Sequence, residues 1–144
     1  MWLNDEAISP PVEPGFSDWL VALQGFGQAL VEDEPADDVQ LVTNLIDLLE
    51  GAPFALSLPF GVNGRADALR AAVREGALES IALRIIGEHA GFMISRGVQG
   101  LYFVTIALPE TEIEVSSEAS SFARACCKAV LLAMLALLQV HPPA

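Results

Sequence analysis

Two histidines are the side chains of this 144-residue sequence whose ordinary pKa lies nearest neutrality. His89 lies in the turn-like stretch 87–91, and His141 lies beside two prolines. A histidine that acts as a general base needs a nucleophile or an orienting carboxylate within hydrogen-bonding reach. No Asp, Ser or Cys stands at a spacing that identifies such a partner for His89. We therefore interpret His89 as a turn residue and His141 as a solvated one.

The cysteines are the neighbours Cys126 and Cys127. Adjacent cysteines and two histidines do not supply the four correctly spaced ligands of a zinc site, and they build no disulfide framework. On a helix the two thiols point about 100° apart, because the helix turns once in 3.6 residues. One or both are therefore predicted to be core residues. A reactive thiol, with its pKa lowered by Arg124 or Lys128, stays an alternative.

Three glutamates, Glu110, Glu112 and Glu114, alternate with other residues and point the same way in an extended segment. Such a row could hold a cation, but the spacing and glycine of an EF-hand loop are missing. A solvated edge is the better interpretation. No phosphate-binding, dinucleotide-binding or Gly-x-Ser-x-Gly pattern occurs either. The sequence thus predicts no enzyme, no metal site and no cofactor.

The charge of the chain argues against one class of partner. Residues 1–64 hold eleven acidic and no basic side chains, whereas residues 65–144 hold eight acidic and seven basic ones, which together give −12. Phosphate backbones would be repelled, so nucleic-acid binding is not expected. The acidic half could steer a basic protein partner. It could equally be a solvated surface that keeps the chain soluble.

Composition and segment lengths bear on the compartment. The first residues show no basic region followed by an apolar one, as a secretory signal would. The longest apolar run, 129–138, spans about 15 Å as a helix against roughly 30 Å of bilayer core. No membrane span is therefore expected, and with the cysteine usage this favours the cytoplasm. Hydrophobic residues make up 53% of the chain, enough for a full core and for an exposed apolar interface.

The first half of the chain offers helices and one strand. Residues 1–15 contain several prolines, which predicts an irregular N-terminal lead-in before a single domain, 16–144. Ser17 can cap a helix whose apolar face is Trp19, Leu20, Leu23, Phe26 and Leu30. The stretch 39–49 fits a helix or a strand, with propensity favouring the helix. The alternation in 54–60 predicts a strand.

The second half predicts a helix from residue 66. It continues to residue 88 or breaks near Gly76 into a strand over 81–86. A hairpin follows, with strands 92–95 and 101–108, then an acidic connection, 110–118. The last helix, 122–140, is almost wholly apolar and is therefore expected to be buried on most sides. The predicted class is α+β, with a small antiparallel sheet packed against three or four helices.

This order of elements resembles the class I type III secretion chaperones. The similarity is carried by the helix 16–30, the hairpin strands 92–95 and 101–109, and the closing helix. It is a likeness of pattern, without a diagnostic motif. That family would have about three strands between its first two helices, where this sequence offers one clear strand and the ambiguous stretch 39–49.

The resemblance implies a homodimer that holds an extended segment of a secreted protein. The dimer interface would lie on the middle helix, at Leu78, Ile81 and Ile85. Apolar patches on the first helix and the sheet would accept partner side chains, at Trp19, Leu23, Phe26, Phe92 and Ile94.

Two other functions stay open from the sequence. One is a structural or regulatory protein, phage-encoded or a heterodimer subunit, that assembles through its apolar last helix. The other is a small thiol-dependent enzyme or redox sensor. The first expectation remains a non-enzymatic protein-binding module.

Overall fold

The computed structural model describes residues 15–31, 37–109 and 111–140. Apart from Gly15, the predicted lead-in lies outside these ranges. The elements follow in the order α1 (Phe16–Val31), α2 (Asp38–Glu50), α3 (Phe54–Ser57), α4 (Ala66–Arg74), α5 (Leu78–Ile86), β1 (Gly91–Arg96), β2 (Tyr102–Leu108), β3 (Ile113–Ala119) and α6 (Phe122–Val140). The predicted α+β class is confirmed, with a small antiparallel sheet and a long apolar last helix.

The sheet has three strands in the order β1-β2-β3, all antiparallel. The predicted hairpin is confirmed as β1 and β2, and its register pairs Phe92 with Ile106 and Ile94 with Val104. Strand β3 pairs with the other side of β2, for example Val115 with Ile106. Our interpretation of 110–118 as a connection was therefore wrong. Alternate residues of β3 are buried or half-buried on one face and exposed on the other. The glutamates on the exposed face made the segment look like an acidic connection.

Helix α6 covers one face of the sheet along β2 and β3, and α2 and α5 pack on its other sides. The predicted helix 122–140 is confirmed. The Ser121 hydroxyl accepts a hydrogen bond from the Arg124 N–H at 3.1 Å and so caps its first turn. Three small residues of α6 are fully buried, which lets its neighbours approach closely: Ala125, Ala129 and Ala133.

By length and composition alone α6 could cross a membrane, with a mean hydropathy of 1.7 over its most apolar window. The sequence analysis considered only the uncharged run 129–138, whereas this longer window also takes in the charged residues Arg124 and Lys128. Of that window 56% is buried inside the chain, which is the packing of a core helix. We therefore interpret α6 as the central helix of the core.

The predicted strand 54–60 is wrong. Its first residues form the short helix α3, and the chain then turns towards α4. Leu56 and Phe60 are buried while Phe54 is exposed, so the four alternating apolar residues do not share one face. The turn is held locally, because the Asn63 side-chain amide donates to the Ser57 carbonyl at 3.1 Å.

The two ambiguous stretches are both helical. Asp37 accepts a hydrogen bond from the Val39 N–H at 3.1 Å and caps α2, so 39–49 is helix rather than strand. Gly76 adopts a φ of 97°, which only glycine adopts readily, and there the helix from residue 66 breaks. The chain after the break forms the second helix α5, so the alternative strand 81–86 is not formed.

An ion-pair cluster ties α4 to α2 at the surface. The Arg70 guanidinium lies 2.8 Å from an Asp47 carboxylate oxygen and also binds Glu50, both on α2. It further contacts Asp67 of its own helix at 2.8 Å. These carboxylates raise the pKa of Arg70 above its ordinary value, chiefly through its hydrogen bond with Glu50.

Candidate protein-binding site

Strand β1 forms one edge of the sheet, and among the residues that the structure describes β2 is its only strand neighbour. All six of its residues are exposed. Three consecutive side chains in its middle are large and apolar, with exposed fractions of 49% for Phe92, 71% for Met93 and 37% for Ile94. Contiguous exposed apolar side chains on a small soluble chain commonly mark an interaction surface.

The apolar side chains of β1 lie on both faces of the sheet. The register places Phe92 and Ile94 on the face of Ile106 and Val104, which α6 covers. Met93 lies on the opposite face, beside Thr105. Since α6 packs along β2 and β3, the first strand extends past the covered part of the sheet.

The backbone of β1 also presents hydrogen-bonding groups at its outer edge. The Gly97 N–H donates to the Leu101 carbonyl at 2.8 Å, which fixes the phase of the ladder between β1 and β2. In an antiparallel ladder, alternate residues bond to the same neighbour. The backbone groups of Ser95 and Met93 therefore face β2. Those of Phe92, Ile94 and Arg96 point to the free edge.

The two edges of the sheet differ in how they are protected. In many proteins, charged side chains, proline or a β-bulge on an edge strand prevent it from pairing with another chain. The other edge strand, β3, carries exposed Glu114 and Glu118. In contrast, β1 carries no acidic residue and no proline. Its one charge, Arg96, lies over the Tyr102 ring at 5.9 Å from the centroid. The edge of β1 thus has the features of a strand that pairs with another chain.

The site residues expected on the first helix lie elsewhere. Trp19, Leu23 and Phe26 are buried in the core. The Trp19 indole N–H donates to the Leu48 carbonyl at 2.8 Å and joins α1 to α2. Trp19 and Phe26 also line a shallow groove of about 300 Å³ between these helices, next to Gly25. The predicted partner-binding residues therefore fall on two separate elements, and those on β1 are the exposed ones.

The residues expected at a dimer interface lie on α5. Ile81 and Ile85 are buried among the core side chains of one chain, and Leu78 is half-buried against them. Packing within a single chain thus accounts for their apolar character.

The thiols are poorly placed for chemistry. Cys126 and Cys127 are free and buried in α6. Burial raises the pKa of Cys126 from its ordinary value of 9.0 to about 12, and it raises the pKa of Cys127 as well. In the part of the chain that the structure describes, no three His, Cys, Asp or Glu residues group as a metal site.

Two features of the edge escaped the sequence analysis. Met93 was not among the expected binding residues, because an alternating pattern assigns one face to the core and the other to solvent. Phe103, exposed on β2 next to Ser95, was also not singled out. The consecutive apolar residues Phe92, Met93 and Ile94 were the signal that both faces of a strand here carry large apolar side chains. That β1 lies at the edge followed only from the position of β3.

Comparisons with protein-family models, with curated proteins and with solved structures return no match for this chain. The likeness to secretion chaperones therefore stays a prediction. The geometry of β1 carries the functional interpretation.

Proposed function

We propose that this chain is a non-enzymatic protein-binding module that accepts an extended polypeptide at the free edge of β1. The observation that carries the proposal is an edge strand without acidic residues that has exposed apolar side chains on both faces. In strand addition, main-chain hydrogen bonds supply affinity and pockets for alternate side chains supply specificity. The free N–H and C=O groups of Phe92 and Ile94 would supply the bonds.

The side chains of β1 favour an apolar segment. A strand laid against this edge would bring its side chains beside Phe92 and Ile94 on one face and beside Met93 on the other. Residues 89–109 hold no Asp or Glu, in a chain of net charge −12. The edge therefore does not repel an acidic segment, and it does not depend on a basic one. Phe103 widens the apolar surface on the Met93 face.

The alternatives are less well supported. A thiol-dependent activity needs the thiolate, and the raised pKa of buried Cys126 disfavours it. Assembly through α6 would have to use the large apolar side chains that the core leaves exposed, Leu132, Leu135 and Val140. The mode implied by the secretion-chaperone resemblance, an extended segment held by a dimer in the cytoplasm, is compatible with strand addition.

A peptide-display selection against the wild-type chain tests the proposal. A selected peptide, titrated into ¹⁵N-labelled protein, is expected to shift the resonances of 91–96 and to slow amide exchange at Phe92 and Ile94. Selected peptides whose shifts instead map to α6, or to the groove beside Gly25, would contradict the proposal.

Two variants of one residue separate backbone from side-chain effects. Ile94→Pro removes an N–H that faces the free edge, where proline is tolerated, and is expected to weaken binding about tenfold or more. Ile94→Ala keeps the N–H and is expected to lose less. Leu132→Ala, at an exposed position on α6, serves as the matched control and should bind as the wild type does.

A further inference from the structure

We propose that the strand paired with β1 belongs to a second copy of this chain, with the two β1 strands antiparallel about a two-fold axis through Met93. The proposal rests on strand addition at β1, and it names the partner. Two three-stranded sheets would then join into one sheet of six strands. Such an interface is isologous, since the same patch serves both copies.

The side chains of β1 are arranged symmetrically about Met93. The sequence Gly91-Phe92-Met93-Ile94-Ser95 reads small, large apolar, large apolar, large apolar, small in both directions. A two-fold axis normal to the sheet keeps matching faces together. It therefore places Phe92 opposite Ile94 of the second copy on the face that α6 covers. An aromatic residue opposite a β-branched one is a favourable cross-strand pair.

The residues whose N–H and C=O groups point outward from β1 are the ones that this register pairs by hydrogen bonds. Phe92 and Ile94 point their N–H and C=O groups away from β2, as the Gly97–Leu101 bond establishes. In the proposed register Phe92 and Ile94 of opposite copies form a hydrogen-bonded pair and exchange two N–H···O bonds. The symmetry repeats this pair on the other side of the axis. The two Met93 residues then form the close, non-hydrogen-bonded pair between them.

The charge distribution favours a second copy at this edge. Two chains of net charge −12 repel each other over most of their surfaces. Residues 89–109 contain no acidic side chain, so the copies can approach there without opposing carboxylates. In the proposed register Arg96 lies opposite Ala90 of the second copy, so the two arginines do not face each other. The same approach through β3 would bring Glu114 and Glu118 of both copies together.

Another symmetric register is possible and gives a different result. With the axis through Ile94, Phe92 would face Arg96 of the second copy, and Met93 would face Ser95. That arrangement loses both Phe92–Ile94 pairs. Cross-linking distinguishes the two registers.

The test uses the full chain with single introduced thiols. In a non-hydrogen-bonded pair the two Cα atoms lie about 4.5 Å apart, within the range of about 4.4 to 6.8 Å that a disulfide spans. Met93→Cys is therefore expected to form a covalent dimer under copper–phenanthroline oxidation. Ser95→Cys is the matched control on the same face. The two introduced thiols of that dimer would lie about 14 Å apart along the strands, so no disulfide between them is expected.

The wild-type chain provides the background, since Cys126 and Cys127 are buried. Its mass by light scattering is expected to approach twice 15.3 kDa as the concentration rises. One strand pairing is smaller than a standard interface of about 1,600 Å², so measurements should cover roughly 5 to 500 µM. Amide exchange at Phe92 and Ile94 should slow as the dimer forms, and Ile94→Pro should shift the mass towards the monomer.

Each outcome bears on a different claim. A monomer over the whole range, with exchanging β1 amides, would overturn self-pairing and leave strand addition to be decided by the peptide selection. A chain that dimerises but in which Met93→Cys does not cross-link, as the register with the axis through Ile94 requires, would overturn the proposed register, and so would cross-linking of Ser95→Cys. A dimer that Ile94→Pro does not weaken, and in which the β1 amides still exchange freely, would overturn pairing through β1 altogether. Circular dichroism of each variant confirms that a change in mass does not come from unfolding.

Discussion

The Trp19 indole N–H donates a hydrogen bond of 2.8 Å to the Leu48 carbonyl oxygen, and the bond is buried. Leu48 lies in the last turn of α2, where carbonyl groups lack a partner within the helix. The Trp19 side chain thus packs in the core and also provides a hydrogen-bond donor for a carbonyl group at the end of α2. Phe16 stacks on the same ring, with centroids 5.9 Å apart.

We expect Trp19→Phe to lower the free energy of unfolding by about 1 to 3 kcal/mol, because the Leu48 carbonyl would be left buried without its donor. Urea unfolding followed by circular dichroism measures the change. Val21→Ala, at a 67% exposed position of the same helix, is the control and should stay within about 0.5 kcal/mol of wild type. Equal effects of both substitutions would contradict a role for the hydrogen bond.

The backbone at Gly61 lies so close to the end of α5 that we expect no side chain to fit at this position. A Cβ atom there would lie 2.0 Å from the Arg84 carbonyl oxygen. The Gly61 N–H donates to the Ile85 carbonyl at 2.9 Å, so the two segments cannot separate without losing that bond. Gly61→Ala should therefore destabilise the chain by about 3 kcal/mol or more.

The matched control for that substitution is Gly25→Ala. A Cβ atom at Gly25, in the middle of α1, would meet nothing within 4 Å. Alanine is favoured over glycine inside a helix by about 1 kcal/mol, so this variant should be more stable than wild type. Thermal and urea unfolding of the two variants should thus move in opposite directions. A stable Gly61→Ala chain would show that the two backbone segments can separate at little cost.

The buried thiols predict a loss of stability at alkaline pH. Folding raises the pKa of Cys126 from 9.0 to about 12, chiefly through desolvation. Between these values the unfolded chain releases a proton that the folded chain keeps, so the free energy of unfolding falls as pH rises. We expect the double variant Cys126→Ala with Cys127→Ala to show a weaker decline from about pH 9 than wild type. Identical slopes would contradict the burial of the thiols.

The same thiols should resist labelling in the folded chain. Burial raises the pKa of Cys126 well above pH 8, so at that pH the reactive thiolate is a very small fraction of the folded chain. Both cysteines should therefore react with Ellman's reagent only after denaturant is added. Rapid labelling without denaturant would reopen the thiol-sensor interpretation.

Self-pairing through β1 predicts an unusual salt dependence. Each copy carries −12, and added salt screens the repulsion between the copies, with a Debye length that falls from about 30 Å at 0.01 M to about 8 Å at 0.15 M. The apolar strand pairing itself changes little. Sedimentation at the two salt concentrations should therefore show tighter dimers in the higher salt. Weaker association in salt would point to a charge-driven contact away from β1.

The elements with long or strongly marked patterns were predictable. The long, mostly apolar stretch of α6 predicts a helix that is buried on most sides. The hairpin follows from two apolar runs separated by Gly97 and Gly100. The prediction of a strand over 54–60 was wrong because so short a segment fits a strand and a short helix equally well. The turn after this segment contains a hydrogen bond from the Asn63 side chain to the Ser57 carbonyl, which the hydrophobic pattern of the sequence does not indicate.

The candidate site divides in the same way. Local sequence by itself determined that Phe92 and Ile94 lie in a strand and that the last helix enters the core. Only the tertiary structure decided that Trp19 is buried in the core and that no strand of the described residues covers the outer edge of β1. The reason is physical: alternation and periodicity record which face of an element is apolar, whereas exposure depends on what packs against it. Here β3 pairs with the other side of β2, and α6 covers β2 and β3. Within the described ranges, β1 therefore keeps exposed apolar side chains and an outer edge without a neighbouring strand.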